Sequence, residues 1–587
     1  MIRRPPRSTR SEFYSPTIKN MLYLGQISIW EEVVQPIGKL CCTIGNSGDL
    51  EAETVGLLLE AGIDYSDHPP AVEKELPKLP WTIPQSELTK RRDYTDQCIF
   101  TIDPADARDL DDAVAGEFIG TAEDGVTKLY KVSVHIADVS YFVRENSVLD
   151  GIASERATST YLVDRVIPML PGVLCETVCS LNPGEKRLAF SIEWILDENG
   201  NIIDEWIGRS IIQSCTKLSY DHAQALIDET TAVFPMIVSP FQLNDIRQSV
   251  KILHQLAVKL REKRYHNGAL KIDLPRLSFS MDWQTRTPIG FHIYKMRESN
   301  QLIEEFMLLA NTRVAEKIFS TFPEIAVLRC HPPPQPRLLK GVADTLEKLG
   351  IHIDISDSGS IQKSLWQYIL QDGDFHSVGR NLVLCNLIAK PMKCAMYICS
   401  GFEQSRDAFR HYALSVPLYT HFTSPIRRYP DILVHRLLSA ALEKKDMKHW
   451  EPVVLKKLLG NCNDKKLAAK SVGELHSELH LSALLKRSGP LEVKSVVVGV
   501  LDHAVDVILL HIGITRRVYL DRLPLRELNH EILGGVGTLV LEWDLKDPVN
   551  PPIRQLITLF TVLDVILVPD ENELRFDVVL QSPLLSR

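Results

Sequence analysis

The stretch Thr101-Ile-Asp-Pro-Ala-Asp-Ala-Arg-Asp-Leu-Asp-Asp-Ala113 carries Asp103, Asp106, Asp109, Asp111 and Asp112, with Arg108 as the one offsetting charge. The apolar run 98–102 leads in and Ala113-Val114 leads out, so the acids sit between core elements rather than in a plainly solvated loop. Like-charged carboxylates that lose water repel and raise one another's pKa values unless a cation lies among them. An all-oxygen set without His or Cys favours magnesium, with manganese possible, and one or two such ions suit phosphodiester hydrolysis. Calcium competes, but an EF-hand counted from Asp109 would need glycine where Val114 stands and glutamate where Gly120 stands. On residue chemistry alone, a solvated acidic turn remains the alternative.

A second constellation is His421-Phe-Thr-Ser-Pro-Ile-Arg-Arg-Tyr-Pro-Asp431. Ser424-Pro425 predicts a helix start, with Tyr429, Ile432, Leu433, Leu437 and Ala440 as its apolar stripe. Arg427 and Arg428 would then lie in the first turn, where positive charge is unfavourable unless an anion such as phosphate binds. The structural alternative pairs Arg427 with Asp431 and Asp431 with His435. On a helix predicted over 299–319, Glu304 and Glu305 reach for a ribose hydroxyl or merely complement the helix dipole. Tyr161 offers a stacking face for a base or a core ring. Asn182 and Arg187 have only turn chemistry behind them.

At 587 residues the chain calls for two to four domains, and 45% hydrophobic with 24% charged residues describes a globular protein. A formal net charge of -9 argues against coating nucleic acid by bulk positive charge, so any RNA contact is local. The 11 cysteines lack zinc-ligand spacing and read as reduced thiols. No apolar run is long enough for a membrane span, which makes a cytoplasmic protein without membrane contact the default. The expected architecture is α+β. Residues 1–18 read as a non-native or disordered leader, 19–65 as part of a small β-barrel and 66–96 as an extended Pro-rich linker. Residues 97–488 read as a large mixed α/β domain. Residues 489–580 read as a small OB barrel of five strands: 496–501, 505–512, 516–520, 538–543 and 555–568.

These motifs, with VHIADVSYFV (134–143), ERATSTYLVDRVIPMLP (155–171), CSLNPGEKRLAFS (179–191) and IEEFMLLAN (303–311), resemble the RNB family of ribonuclease II and ribonuclease R, in its eukaryotic, exosome-independent branch. The resemblance implies a processive 3′-to-5′ exoribonuclease that hydrolyses single-stranded RNA to nucleoside 5′-monophosphates, with residues 97–488 as the catalytic domain flanked by a partial cold-shock-like OB barrel (19–65) and an S-one-type OB barrel (489–580). It implies that Asp103, Asp109, Asp111 and Asp112 surround magnesium, Asp111 being most tied to hydrolysis, and that Arg427 stabilises the pentavalent phosphate, making Asp111, Arg427 and Asp109 the catalytic group. Glu304 or Glu305 would contact the 3′-terminal ribose and Tyr161 would clamp the end bases. His421, Arg428 and Arg187 are likewise assigned to RNA contact. The expected partner is single-stranded RNA with a free, oligo-uridylated 3′ end, met by a monomer in the cytoplasm or in P-bodies. Docking on the exosome is not expected. Two departures stand out: the second stacking aromatic is absent from Gly268-Ala-Leu-Lys-Ile-Asp273, where only Ile272 is found, and only a piece of one cold-shock barrel is present. The rival classes are a non-catalytic RNA-binding protein on a degenerate nuclease fold and a metal-dependent DNA nuclease.

Overall fold

The strand Ile99–Asp103 is buried at every position, as a short unbroken apolar run bounded by charge predicts for the middle of a covered sheet. In the computed structural model, which describes residues 20–29, 37–272, 274–369, 375–403, 405–544, 553–571 and 573–583, this strand is central to a six-stranded mixed sheet. The leader expected over 1–18 lies outside the described residues. The sheet order is Arg92–Asp93, Ile202–Ser219, Ile99–Asp103, Asp112–Thr121, Lys128–Ala137, Lys186–Asp197. The strand Ile202–Ser219 pairs in parallel with Ile99–Asp103 through its last residues and antiparallel with Lys186–Asp197 through its first ones. The sheet thereby closes on itself.

Helices cover this sheet. Glu298–Thr321 buries Leu302, Phe306, Ala310, Val314 and Ile318, the stripe that its spacing predicts, and packs against the helices Leu243–His266 and Tyr429–Glu443. One continuous apolar core joins sheet and helices. At roughly 25 cal/mol per Å² of apolar surface removed from water, this burial is the main favourable term in folding.

The helix expected from Ser424 instead spans Tyr429–Glu443, with Arg428 as N-cap and Pro430 in the first turn. The reason is a competing partner for the backbone. Residues 157–159 run alongside: Ser159 N–H donates to Arg427 O at 3.1 Å, Tyr429 N–H to Ala157 O at 2.9 Å, and Thr158 bridges Arg428. Arg428, held extended at φ -140° and ψ 118° by these bonds, cannot also be helical, and Pro425, Ile426 and Arg427 make only a turn before it.

At the N-terminal side, a hairpin of Met21–Ile29 and Ile37–Asn46 is followed by a helix, Leu50–Glu60, capped by Asp49 and absent from the sequence reading. It docks on the long helix Pro452–Ser488. The Pro-rich stretch expected to be extended contains two short helices, Pro70–Glu73 and Gln85–Leu88. It lies against the catalytic domain, with Val72 fully buried and Trp81 edge-on to Phe142 at 5.0 Å.

Among its described residues the C-terminal region has eight strands where five were expected, in a five-stranded and a three-stranded sheet around a separate core. The run read as 555–568 is two strands, Ile553–Ile557 and Val562–Pro569, broken where Phe560 takes a positive φ of 70°. Leu525–Leu533 escaped notice because its mostly exposed surface breaks the apolar alternation.

Among the described residues no helix is long and apolar enough to cross a membrane. Phe422 is fully buried between Phe190 (5.7 Å) and His435 (4.5 Å), tying the sheet to the helix Tyr429–Glu443. Phe422→Ala is expected to cost about 3–5 kcal/mol, read as a lowered midpoint in denaturant unfolding.

Candidate active site

Asp103 ends the strand Ile99–Asp103 and Asp112 begins Asp112–Thr121, so the acidic stretch is the connection between adjacent strands. Its fold is fixed from behind. Leu110 N–H donates to Ser180 Oγ at 3.1 Å, that hydroxyl donates to Arg108 O at 2.7 Å, and Ala137 N–H donates to Asp111 O at 2.8 Å. Lys217 donates from Nζ to Ala105 O and Ala107 O. The aspartates are held in place by backbone bonds that do not use their carboxylates.

Asp111 is 3% exposed. Its Oδ1 accepts from Ile426 N–H at 2.9 Å, and its Oδ2 lies 3.3 Å from Arg427 Nε but has no hydrogen-bond partner. Burial drives its pKa well above the ordinary carboxylate value against the pull of Arg427. Burial and then the charge of Asp112 push Asp103 up to about 8, and burial raises Asp112 to about 6 despite Arg427 and Arg428. Asp103 Oδ2 is likewise buried without a partner. Asp109 turns an oxygen to the Tyr161 hydroxyl, which donates at 2.8 Å. These carboxylates do not close into a cage, because no three of these aspartates bring an oxygen each within 4.8 Å of one another. The unpartnered oxygens of Asp103 and Asp111, buried among like charges, are nevertheless what a hard divalent cation would satisfy.

The two arginines part company. Arg428 Nη2 donates to Asp431 Oδ1 at 2.7 Å in a pair almost closed to water, so it is spent on structure rather than turned to RNA. The Arg427–Asp431 pair of the structural alternative is thus made by the neighbouring arginine, and His435 Nε2 bonds Phe422 O at 2.8 Å instead of Asp431. Arg427 keeps its side chain 40% exposed, anchored by Nη2 to Ser424 Oγ at 2.9 Å.

The other expected RNA contacts divide too. Tyr161 is 45% exposed with its hydroxyl on Asp109, so its ring stands at the mouth of the carboxylate site. Glu305 is 3% exposed and locked to Arg264 at 2.5 Å, while Glu304 on the same turn is half-buried. Arg187 is spent on Ser180 O (2.9 Å), Thr177 O (2.7 Å) and Glu185, which makes it a brace for the turn that Ser180 uses to hold the aspartates. His421 is buried against the Tyr397 hydroxyl at 2.6 Å, and desolvation with Arg428 nearby keeps it neutral. Neither has a surface to offer a strand of RNA.

One residue the sequence reading missed is Tyr220. The register pairs Ser219 with Asp103, and Ser219 caps the helix Tyr220–Ile227, so Tyr220 begins that helix beside the carboxylates. Burial and the charges of Asp112 and Asp103 raise its pKa. The signal was there, as an apolar strand running directly into the capping pattern Ser219-Tyr-Asp-His222.

A sequence profile of the RNB domain matches residues 91–444, one of the DIS3-like exonuclease 2 C-terminal region matches 489–578, and one of the Dis3-like cold-shock domain 2 matches 5–62. The chain belongs to the RNB family of exoribonucleases. Within it, the chain is 46% identical over 574 residues to DIS3-like exonuclease 2 of Xenopus tropicalis, covering 97% of this chain and 68% of that protein. An Arabidopsis thaliana protein named inactive exonuclease DIS3L2 is 37% identical over 584 residues, covering 91% of this chain and 54% of that protein. The fold matches Mycoplasma genitalium RNase R in complex with ribose-methylated single-stranded RNA, with a TM-score of 0.78 at 21% identity over 96% of this chain and 83% of that one.

Two outcomes test the site. Arg427→Ala is expected to lower kcat by about 10²–10³-fold with a smaller change in KM, measured on single-stranded RNA. The second concerns pH. Asp103 and Asp112 have folded pKa values above the unfolded carboxylate value, so in chelator the folded state binds more protons and stability falls as pH rises from about 4. The loss continues through about 6 for Asp112 and about 8 for Asp103. Melting curves are expected to show magnesium raising the melting temperature more at pH 8 than at pH 5.

Proposed function

We propose that the chain is a magnesium-dependent, processive 3′-to-5′ exoribonuclease that hydrolyses single-stranded RNA, with manganese as an alternative ion, to nucleoside 5′-monophosphates. The observation that carries this reading is the ion-pair distance between Arg427 and the buried Asp111, at a point where two carboxylate oxygens have no protein donor. A degenerate nuclease would have no use for such a costly arrangement. Family membership alone does not decide the matter, since one relative is named inactive.

Asp103, Asp109, Asp111 and Asp112 are the residues to hold the ion, Asp109 by releasing Tyr161. When bound there, magnesium supplies an activated water and neutralises phosphate charge. Asp111, oriented by Ile426 N–H, is the carboxylate best placed to hold the ion near the guanidinium. Arg427 presents a fixed fork of donors to the phosphate oxygens as charge builds on them. Tyr161 stacks on a terminal base without reading its identity, which suits degradation of any sequence. Glu304 stands on the same helix as the locked Glu305, and this turn is the candidate for the ribose 2′-hydroxyl.

The natural substrate in this reading is RNA with an oligo-uridine 3′ tail, degraded by a cytoplasmic monomer independently of the exosome, in turnover of messenger and small RNAs. The test is digestion of a 5′-labelled single strand ending in oligo-uridine, with magnesium and with chelator. A descending ladder only with the metal is expected, and a strand left intact in both sinks the reading. Asp111→Asn removes charge without volume and is expected to abolish hydrolysis while leaving RNA affinity close to wild type in a filter-binding measurement. A 3′-terminal deoxyribose that is removed as fast as ribose would point to the DNA nuclease instead.

A further inference from the structure

Behind the hairpin that carries Tyr161, three side chains from two elements meet out of the water. His476 and His480 lie one turn apart on the helix Pro452–Ser488, each 1% exposed, with ring centroids 4.3 Å apart. Asp164 comes from the turn between Thr160–Tyr161 and Val166–Ile167, and its side chain is 7% exposed.

The hydrogen bonds fix which atoms have lone pairs to give. His480 Nδ1 sits 3.0 Å from the His476 carbonyl, so it donates its proton there and leaves Nε2 unprotonated. That Nε2 is buried with no partner. Asp164 gives one oxygen to Arg165 at 2.9 Å, and the other, Oδ1, is also buried with no partner. The ligand atoms of the three residues lie within 4.8 Å of one another. His480 Nε2 and Asp164 Oδ1 are thus two buried acceptors that each forfeit a hydrogen bond, a cost to folding. A cation between them removes both costs.

We propose that Asp164, His476 and His480 form a second metal site, distinct from the aspartate cluster and suited to zinc. Two imidazole nitrogens and one carboxylate oxygen are a donor set that zinc takes in tetrahedral geometry, and magnesium does not favour it. His480 already has the outer-sphere bond that fixes a ligating imidazole, from Nδ1 to a backbone carbonyl. His476 Nε2 is 3.7 Å from Asp164 Oδ1 and 3.1 Å from Thr54 Oγ1, whereas its Nδ1 accepts from Val163 N–H at 3.1 Å. Without metal its one ring proton is therefore on Nε2, and ligation through Nε2 shifts that proton to Nδ1 at the expense of the Val163 N–H bond, with no net release of a proton. The fourth position falls to the Thr54 hydroxyl or to water.

The location gives the site its meaning. Thr54 belongs to the helix Leu50–Glu60 of the N-terminal module, Asp164 to the hairpin of Tyr161, and the histidines to the long helix. Bound zinc would staple these elements together and fix the hairpin whose tyrosine reaches Asp109. The inference stands independently of the nuclease reading, because nothing in it involves the reacting centre.

The experiment uses the full chain, stripped with chelator, dialysed and titrated with zinc chloride, with bound metal counted by atomic emission. Wild type and Asp111→Asn are expected to retain about one zinc per chain after gel filtration and to melt at a higher temperature when loaded. His480→Gln is expected to retain no zinc and to show no such shift. Zinc retained equally by His480→Gln, or no zinc retained by folded wild type, overturns the proposal. The second result would mean that His480 and Asp164 instead share a proton. Should His480→Gln fail to fold, cobalt(II) in the wild-type chain decides. Visible bands of a tetrahedral, nitrogen-ligated ion support the site, and their absence overturns it.

Discussion

Desolvated carboxylates repel one another, and the connection from Asp103 to Asp112 holds several of them at one end of a closed sheet. The backbone makes this possible without help from the acids. Ser180, Arg187 and Lys217 bind the carbonyls and amides of the connection and of the turn behind it, leaving oxygens of Asp103 and Asp111 unpartnered. Proteins tolerate such strain where a ligand relieves it. The folding energy comes from the surrounding apolar core, which is large enough to offset a locally unfavourable site.

The adjacent arginines illustrate how one sequence feature is divided between stability and chemistry. Two guanidinium groups side by side also repel. Arg428 is neutralised within the fold by Asp431, whose Oδ1 accepts both its Nη2 and the Ser424 N–H. That leaves Arg427 as the cation at the mouth of the site, held by Ser424 yet still 40% exposed. Removing the first interaction would disorder the segment that aims the second.

The large elements were legible in the sequence because they obey simple periods. The buried strand at Ile99, the helix over Glu298–Thr321 and the acidic connection needed only apolar spacing and charge density. What could not be read locally was set by partners far along the chain. The start of the helix at Tyr429 depends on a bond to Ala157, and Arg187 acts on carbonyls that only the fold brings near. His476 and His480 share a helix face by their spacing, but nothing local pairs them with Asp164, which precedes them by some 300 residues. Side-chain roles that depend on such distant pairings are invisible to a period or a motif.

The backbone bond from Tyr429 to Ala157, with its neighbours at Thr158 and Ser159, has a mechanical meaning. The segment that leads to Tyr161 and the segment that carries Arg427 are laced together as one plank. A displacement of either is handed to the other through main-chain bonds, so the ring and the guanidinium keep their spacing only as a pair.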